Sequence, residues 1–173
     1  ATTFTGLAGD ILFSGNRVAG VDSSSVLIRL NGAATLENVN LIGNRFDDIS
    51  PTLGKLCMTV QQQPATTGGT FRNINVLGNT ARCPDVNCAG LFALSLLGSA
   101  ECNNVLVASN SIDLTDEDGA VHTTGNATQR GIWIFGDTTN LATNIVVVSN
   151  TIRGAQSFGI GIGLARGFAI SAN

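Results

Sequence analysis

Short apolar runs alternate with Asn, Gly and Ser along the chain, and one such pattern recurs in six copies. In residues 144–152 it reads as an Asn, a run of β-forming residues, a Ser, a second Asn and another apolar residue. Aligned on the second Asn, the copies are separated by 28, 35, 31, 40 and 23 residues. Self-similarity of this kind identifies a repeat protein. The shared residues are Asn16, Asn44, Asn79, Asn110, Asn150 and Asn173.

Within each copy the apolar side chains alternate with other residues at a period of two, which is typical of a β-strand with one buried side. In the second copy the set that shares one side is Val39, Leu41, Asn44 and Phe46. The equivalent set in the other full copies is also apolar except at the Asn. We therefore predict strands that turn this set inward, with the Asn among the core residues.

A second apolar run lies in the other half of each repeat, and no segment shows a helical period over ten or more residues. Each full repeat thus contributes two or three short strands with turns between them. Strands that recur at this spacing without helices favour parallel pairing, copy upon copy, in a coil. The sequence predicts an all-β solenoid of about five coils. The second runs are residues 26–30, 56–60, 91–97, 132–135 and 160–164.

The recurring Asn has a mechanical explanation. An inward amide at a bend satisfies backbone groups that the turn leaves unpaired, and it reaches the Asn one coil further on. A row of Asn side chains that binds a ligand is the alternative. We refer to the predicted structural row as the asparagine ladder, which comprises Asn16, Asn44, Asn79, Asn110 and Asn150.

Residues 38–46, 104–112 and 144–152 match the pattern N-hydrophobic-x-hydrophobic-x-x-N-x-hydrophobic. This pattern resembles the repeat of the right-handed parallel β-helix family, the pectin-lyase-like superfamily, and the copies span residues 10–173. The resemblance implies a single-stranded, right-handed parallel β-helix. The resemblance says little about function, because the superfamily includes polysaccharide lyases, glycoside hydrolases, epimerases, phage tailspikes and adhesins.

The composition and charge of the chain limit the classes of partner that we expect. The chain is 43% hydrophobic, yet no window holds the roughly 18 uninterrupted apolar residues of a membrane span. A net charge of −3 leaves no basic stripe for a phosphate backbone, so we expect no nucleic acid partner. We expect one domain over residues 1–173. Both ends of the predicted stack look uncapped, which favours a segment of a larger chain or a unit that stacks end to end.

The candidate catalytic residues are sparse. Glycoside hydrolysis needs two or three carboxylates on one side of the fold, and Asp47, Asp48 and Asp113 are the candidates. His122 is a candidate base, although its V-H-T-T-G context departs from the G-H-G of polygalacturonase-like members. A lyase of this fold would need a cation such as Arg82 to acidify a proton next to a uronate carboxylate. The alternative is that these are solvated loop charges.

Two further sites concern metals and sulfur. The loop over residues 113–119 has the carboxylate density of a calcium site, with Asp113, Asp116 and Asp118 as ligands, but lacks the EF-hand spacing. We otherwise expect no cofactor. Cys83 and Cys88 bracket a loop short enough for a disulfide. Four reduced, buried thiols are the alternative.

Two outward features suggest partners. Either Trp133 or its neighbours Ile132 and Ile134 must face out, and an outward Trp133 offers a platform for sugar stacking. Outward positions of the repeated strand, such as Leu12 and Val146, are too apolar for a freely solvated face. They favour packing against a neighbouring domain or a second copy.

These features favour a rigid structural or binding scaffold of a surface, secreted or phage-type protein that contacts carbohydrate. The expected location is extracellular, or on a cell or virion surface. The class-distinct alternative is a polysaccharide lyase or glycoside hydrolase acting on acidic polysaccharide. We favour the scaffold over the enzyme.

Overall fold

The computed structural model of the protein describes residues 2–20, 25–47, 55–62, 68–85, 88–96, 101–122, 129–136 and 141–173. Within these ranges the regular structure is all β, without a helix. The strands are β1 (Thr2–Ala8), β2 (Ile11–Ser14), β3 (Arg17–Ala19), β4 (Val26–Ile42), β5 (Arg45–Asp47), β6 (Lys55–Gln62), β7 (Thr70–Leu77), β8 (Thr80–Arg82), β9 (Cys88–Ser95), β10 (Glu101–Ala108), β11 (Ser111–Asp113), β12 (Arg130–Phe135), β13 (Ala142–Val148), β14 (Thr151–Arg153), β15 (Phe158–Gly163) and β16 (Ala165–Ser171).

Every strand pairing in the described part of the chain is parallel. The largest sheet has the order β15-β12-β9-β6-β4-β7-β10-β13-β16, with β1 and β2 also paired to β4. Strand β4 belongs to both halves, because residues 26–30 pair with β6 and residues 35–42 pair with β7. We call the β6 half the first face and the β7 half the second face. A separate short sheet has the order β14-β11-β8-β5-β3.

The chain visits the two faces and the short sheet in turn. It runs through the first face, the second face and the short sheet as β6-β7-β8, and repeats the circuit as β9-β10-β11 and β12-β13-β14. Each strand of one circuit pairs with the equivalent strand of the next. We call one circuit a coil. The prediction of an all-β chain whose copies pair in parallel is confirmed, and the arrangement is solenoid-like.

The core follows from the register. On the second face Val39, Ile74, Val105 and Ile145 are direct partners from strand to strand, and each is at most 1% exposed. On the first face the buried file includes Val60, Leu94 and Ile134. The predicted inward positions are buried in the second to fifth copies, apart from the half-buried Ile152, whereas in the first copy Asn16 is exposed. Because equivalent positions stack, apolar side chains of one coil pack on apolar side chains of the next. Each added coil therefore extends one continuous apolar interior.

Two rows of left-handed backbone recur from coil to coil, the first mostly within the strands of the second face and the second at the bend before the ladder. One row lies at the first residue of each repeat. This residue is usually Asn or Asp, because these two adopt positive φ at a lower energetic cost than other residues with a side chain. The other lies immediately before the asparagine ladder, where Gly or Ser usually stands. The first row is Asp10, Asn38, Asn73, Asn104, Asn144 and Gly167, and the second is Gly15, Gly43, Gly78, Ser109, Ser149 and Ala172.

The asparagine ladder is continuous through the protein. The Nδ2 group of each Asn donates to the Oδ1 of the next, at 3.0 Å from Asn44 to Asn79 and 2.8 Å from Asn110 to Asn150. The remaining steps are equally short, and Asn173 accepts the last of them at 2.9 Å. From Asn44 to Asn150 the side chains are at most 2% exposed.

Each ladder amide also forms hydrogen bonds with the backbone of the preceding coil. The Oδ1 of Asn110 accepts the backbone N–H of Asn79 at 2.9 Å, and its Nδ2 donates to the carbonyl of Val76 at 2.9 Å. The same two bonds recur at each step, for example from Asn79 to the carbonyl of Leu41. The buried amides thus have their donors and acceptors satisfied while they close the bend beneath them.

Replacing Asn110 with the isosteric Leu should lower the free energy of unfolding by about 2 kcal/mol or more. The change removes the acceptor of the Asn79 backbone N–H and the donor to the Val76 carbonyl, and each buried group left alone costs about 1–3 kcal/mol. Asn16→Leu is the matched control, because Asn16 is exposed and water replaces its bonds. Denaturant unfolding of both variants measures this, and equal losses would contradict the structural role of the buried ladder.

The bend before the ladder gives a second stability prediction. Gly78 has φ of +61° and open space where a Cβ would lie, so Gly78→Ala should cost about 1 kcal/mol through backbone strain alone. Gly9 has equally open space without positive φ, so Gly9→Ala should be neutral or stabilising by up to about 1 kcal/mol. Thermal unfolding of the pair tests this, and an equal shift in both would argue against the bend.

Candidate functional site

A polar groove of about 340 Å³ crosses the outside of the second face, near the corner where the first face ends. Arg72, Asn103, Thr143 and Arg166 form its floor as direct register partners on β7, β10, β13 and β16. Parallel strands lie about 4.8 Å apart, so the two arginines are separated by roughly 14 Å along the stack. The groove is lined by Thr70, Arg72, Glu101, Cys102, Asn103, Leu141, Thr143 and Arg166.

The floor of the groove presents a cation at each end and neutral polar groups between them, and the acidic side chain of Glu101 is also among the lining residues. Arg72 is paired with Glu37, with 3.0 Å between its Nη1 and the carboxylate, whereas Arg166 has no ion pair among the described residues. The hydroxyl of Thr143 donates to the carbonyl of Cys102 at 3.1 Å, and Asn103 accepts from Asn144 at 2.9 Å. The middle of the groove is thus fixed by internal hydrogen bonds.

The predicted apolar flank is only partly apolar. Its file of direct partners carries two asparagines in the middle, and Asn75 donates to Asn40 at 2.9 Å. Its large exposed apolar side chains are Leu12 (66%), which is the register partner of Asn40, and Val146 (40%). A shallow depression of about 300 Å³ lies over the later half of the face, bordered by Asn and apolar residues. The file is Leu12, Asn40, Asn75, Leu106, Val146 and Ala169.

Asp47 is held by two arginines. Its Oδ2 lies 2.8 Å from the Nε of Arg45 and 2.9 Å from the Nε of Arg17, and the residue is 9% exposed. The hydrogen bond from Arg45 lowers the pKa of Asp47, burial opposes it, and the bond from Arg17 lowers the pKa further. A carboxyl that stays ionised in this way cannot serve as the general acid that glycoside hydrolysis requires.

The pKa of Asp113 is also lowered. Burial raises its pKa, but hydrogen bonds from the hydroxyl and backbone N–H of Thr115, with Arg153 and Arg82 nearby, bring the pKa below its ordinary value. Asp113 pairs in register with Arg82 and Arg153 on either side. It lies two strands from Asp47, about 10 Å, with β8 between them. The two carboxylates therefore serve separate local networks.

Of the other predicted catalytic residues that the structure describes, Arg82 stands beside one of these carboxylates, Asp113. Asp48 lies outside the described residues. His122 has a buried Nε2 with no hydrogen-bond partner in the described part of the chain, and its backbone carbonyl accepts from the side chain of Gln156. Arg82 lies on β8 as the register partner of Asp113 on the neighbouring strand β11. Among the described candidates, Asp113 and Arg82 are neighbours, and the Nε2 of His122 makes no hydrogen bond to either.

The predicted calcium ligands are also dispersed. Asp113 Oδ1 is occupied by Thr115, and Asp116 Oδ1 accepts the backbone N–H of Ala120 at 2.8 Å within its own turn. Asp118 is exposed. Among the described residues, these carboxylates do not bring three ligand atoms together.

The cysteines are brought together more closely than the sequence indicates. Cys83 and Cys88 form a disulfide, and the Sγ of Cys57 lies 3.8 Å from that of Cys83. Burial raises the pKa of Cys57 and of the separate thiol Cys102 to about 12, so both are neutral. Cys57 stands 26 residues before Cys83, and only the stacking of coils reveals their contact.

Trp133 faces outward, because Ile132 and Ile134 are fully buried on the core side of β12. It is half-buried and packs against a small outer cluster of Leu56, Ala89 and Ala93. The guanidinium of Arg130 lies 4.2 Å from the centre of the Trp133 ring, and Phe135 lies 5.8 Å away. Arg130 therefore covers one face of the ring, which leaves less of it for sugar stacking.

No family model matches the chain, and neither a curated protein nor a solved structure matches it. Within the described residues there is no helix long and apolar enough to cross a membrane. The geometry of the outer surface therefore carries the functional argument.

The Asp47 network predicts acid sensitivity. A carboxyl whose pKa is lower in the folded state stabilises the fold above its unfolded pKa of about 3.9 and loses that effect as pH falls through the folded value. Asp47→Asn should lower the melting temperature at pH 7 and flatten its fall between about pH 5 and pH 2. Melting curves across this range measure the effect, and parallel profiles for both proteins would contradict it.

Proposed function

We propose that this protein is a right-handed parallel β-helix of the pectin-lyase-like kind, acting as a rigid scaffold of a surface, secreted or phage-type protein. In this proposal the polar groove on the second face contacts an extended carbohydrate that carries acidic groups. Right-handed connections between parallel strands are the strong rule, which supports the handedness. The repeat pattern and the parallel coils support the family resemblance.

The observation that carries the proposal is the file Arg72, Asn103, Thr143 and Arg166 along the groove floor. Amide and hydroxyl groups match sugar hydroxyls, which both donate and accept hydrogen bonds. Arginine binds a carboxylate with two parallel hydrogen bonds, and Arg166 has no competing ion pair among the described residues. The file runs along the stack, which suits an extended chain.

Rigidity is the second support. The groove residues stand on strands whose register is fixed by the ladder and the buried files beneath them. Binding to such a surface costs little conformational entropy in the protein, and preorganisation of this kind favours affinity. An extracellular or virion-surface location fits a scaffold that presents a sugar-binding face.

The enzyme alternative has weaker support among the described residues. Asp47 is bound by two arginines and Asp113 by Thr115, so both carboxyls are engaged in local bonds. A polysaccharide lyase or hydrolase would release unsaturated or reducing ends from the polymer, whereas a scaffold would bind it unchanged. The two functions are therefore separable in a single assay.

Binding of oligogalacturonate and neutral oligosaccharides, measured by calorimetry, tests the proposal. We expect the acidic ligand to bind more tightly, and Arg166→Gln to weaken it about 10-fold or more, because a charge-assisted hydrogen bond contributes about 1.5–3 kcal/mol. Arg17→Gln is the matched control: it removes the same charge from the short sheet and should leave the affinity unchanged.

Three results would overturn the proposal. Equal losses in both variants would mean that net charge, and not the groove, attracts the ligand. Release of unsaturated or reducing ends during the assay would instead favour the enzyme. If none of the acidic or neutral glycans binds, carbohydrate is not the partner.

A further inference from the structure

Three cysteine sulfurs meet inside the protein at the corner where the short sheet passes to the first face. Cys83 follows β8, Cys88 begins β9, and Cys57 lies in β6 one coil earlier. Their three Sγ atoms lie within 4.8 Å of one another, and each residue is fully buried. The register explains the meeting, because the start of β6 pairs with the start of β9.

The cluster exists in an oxidised form in which Cys83 and Cys88 are joined and Cys57 is a thiol. A dithiol or phosphine reductant would supply two electrons, and with two protons the S–S bond would become two thiols while the reductant is oxidised. Three thiols would then face one another. No His, Asp or Glu joins this group within the described residues.

The sulfur spacing matches that of a metal site. Sulfurs bound at about 2.3 Å to one ion lie about 3.8 Å apart in a tetrahedral arrangement and about 4.0 Å apart in a trigonal one. The Cys57 and Cys83 sulfurs are already 3.8 Å apart. Soft thiolate ligands favour Cu(I), and three sulfurs without a fourth described ligand suit a three-coordinate ion better than four-coordinate Zn²⁺.

We propose that the reduced cluster of Cys57, Cys83 and Cys88 is a redox-gated binding site for one Cu(I) ion. Binding displaces thiol protons into solvent and transfers no electrons, so the affinity rises with pH. A low-molecular-weight disulfide oxidises Cys83 and Cys88 by thiol–disulfide exchange: it accepts two electrons and two protons and leaves as two thiols, while the Cys83–Cys88 bond forms, two ligands are lost and the ion is released. The site is independent of the carbohydrate groove, which lies on the outside of the second face.

Anaerobic titration of the phosphine-reduced chain with Cu(I), in competition with a chromophoric chelator, tests this. We expect one ion per chain by native mass spectrometry, and three sulfur ligands at about 2.3 Å by copper X-ray absorption. Cys57→Ser should weaken binding at least about 10-fold, since even outer-shell changes have effects of this size. Cys102→Ser is the matched control, a buried thiol outside the cluster, and should bind like the wild type.

The oxidised chain, with the disulfide verified by peptide mapping, should not bind Cu(I) at this site. Circular dichroism establishes that each variant is folded, and Cys88→Ser replaces Cys57→Ser if the latter does not fold. Wild-type affinity in either folded variant would overturn the proposal. So would an equal loss in Cys102→Ser, or fewer than three sulfur ligands in the X-ray absorption of the wild-type chain.

Discussion

The structure depends on one hydrogen-bonding arrangement, in which the amide of each ladder Asn completes the bend of the coil before it. The left-handed residue at each bend directs a backbone N–H and a carbonyl away from the sheets, into the interior. Left unpaired there, those groups would cost several kcal/mol per coil. The side chain of the next Asn satisfies both and holds the adjacent Asn as well, so one residue type fixes both the bend and the stacking.

This constraint explains how repeats of 23 to 40 residues coexist in one stack. The ladder and the buried files set the register on every coil, and the repeats differ in the number of residues between these strands. Positions far apart in sequence, such as Arg72 and Arg166, therefore stand in one straight file. The groove is a property of the stack, since no single repeat contains enough of it to bind a ligand.

The sequence predicted the interior better than the surface, for a physical reason. Interior positions obey two strong rules, alternation at Val39 or Ile74 and recurrence at Asn79 or Asn110, because a buried error is costly. Outer positions obey no such rule. The arginine partners of Asp47 and the bonds from Thr115 to Asp113 therefore could not be anticipated. The contact of Cys57 with Cys83 required knowing which strands become neighbours, and the spacing of cysteines in the chain contains no sign of it.

The three corners of the coil divide the chemical roles among them. The corner between the second face and the short sheet carries the buried Asn ladder and is the same in every coil. The polar groove lies on strands of the second face beside the corner that enters it, and the corner leaving the short sheet holds the cysteine cluster. Strand interiors are committed to packing on one side, whereas corners interrupt the two-residue alternation and so can hold polar or sulfur groups. In a fold of stacked coils, chemistry that varies between proteins should therefore be sought at the corners where the ladder is absent.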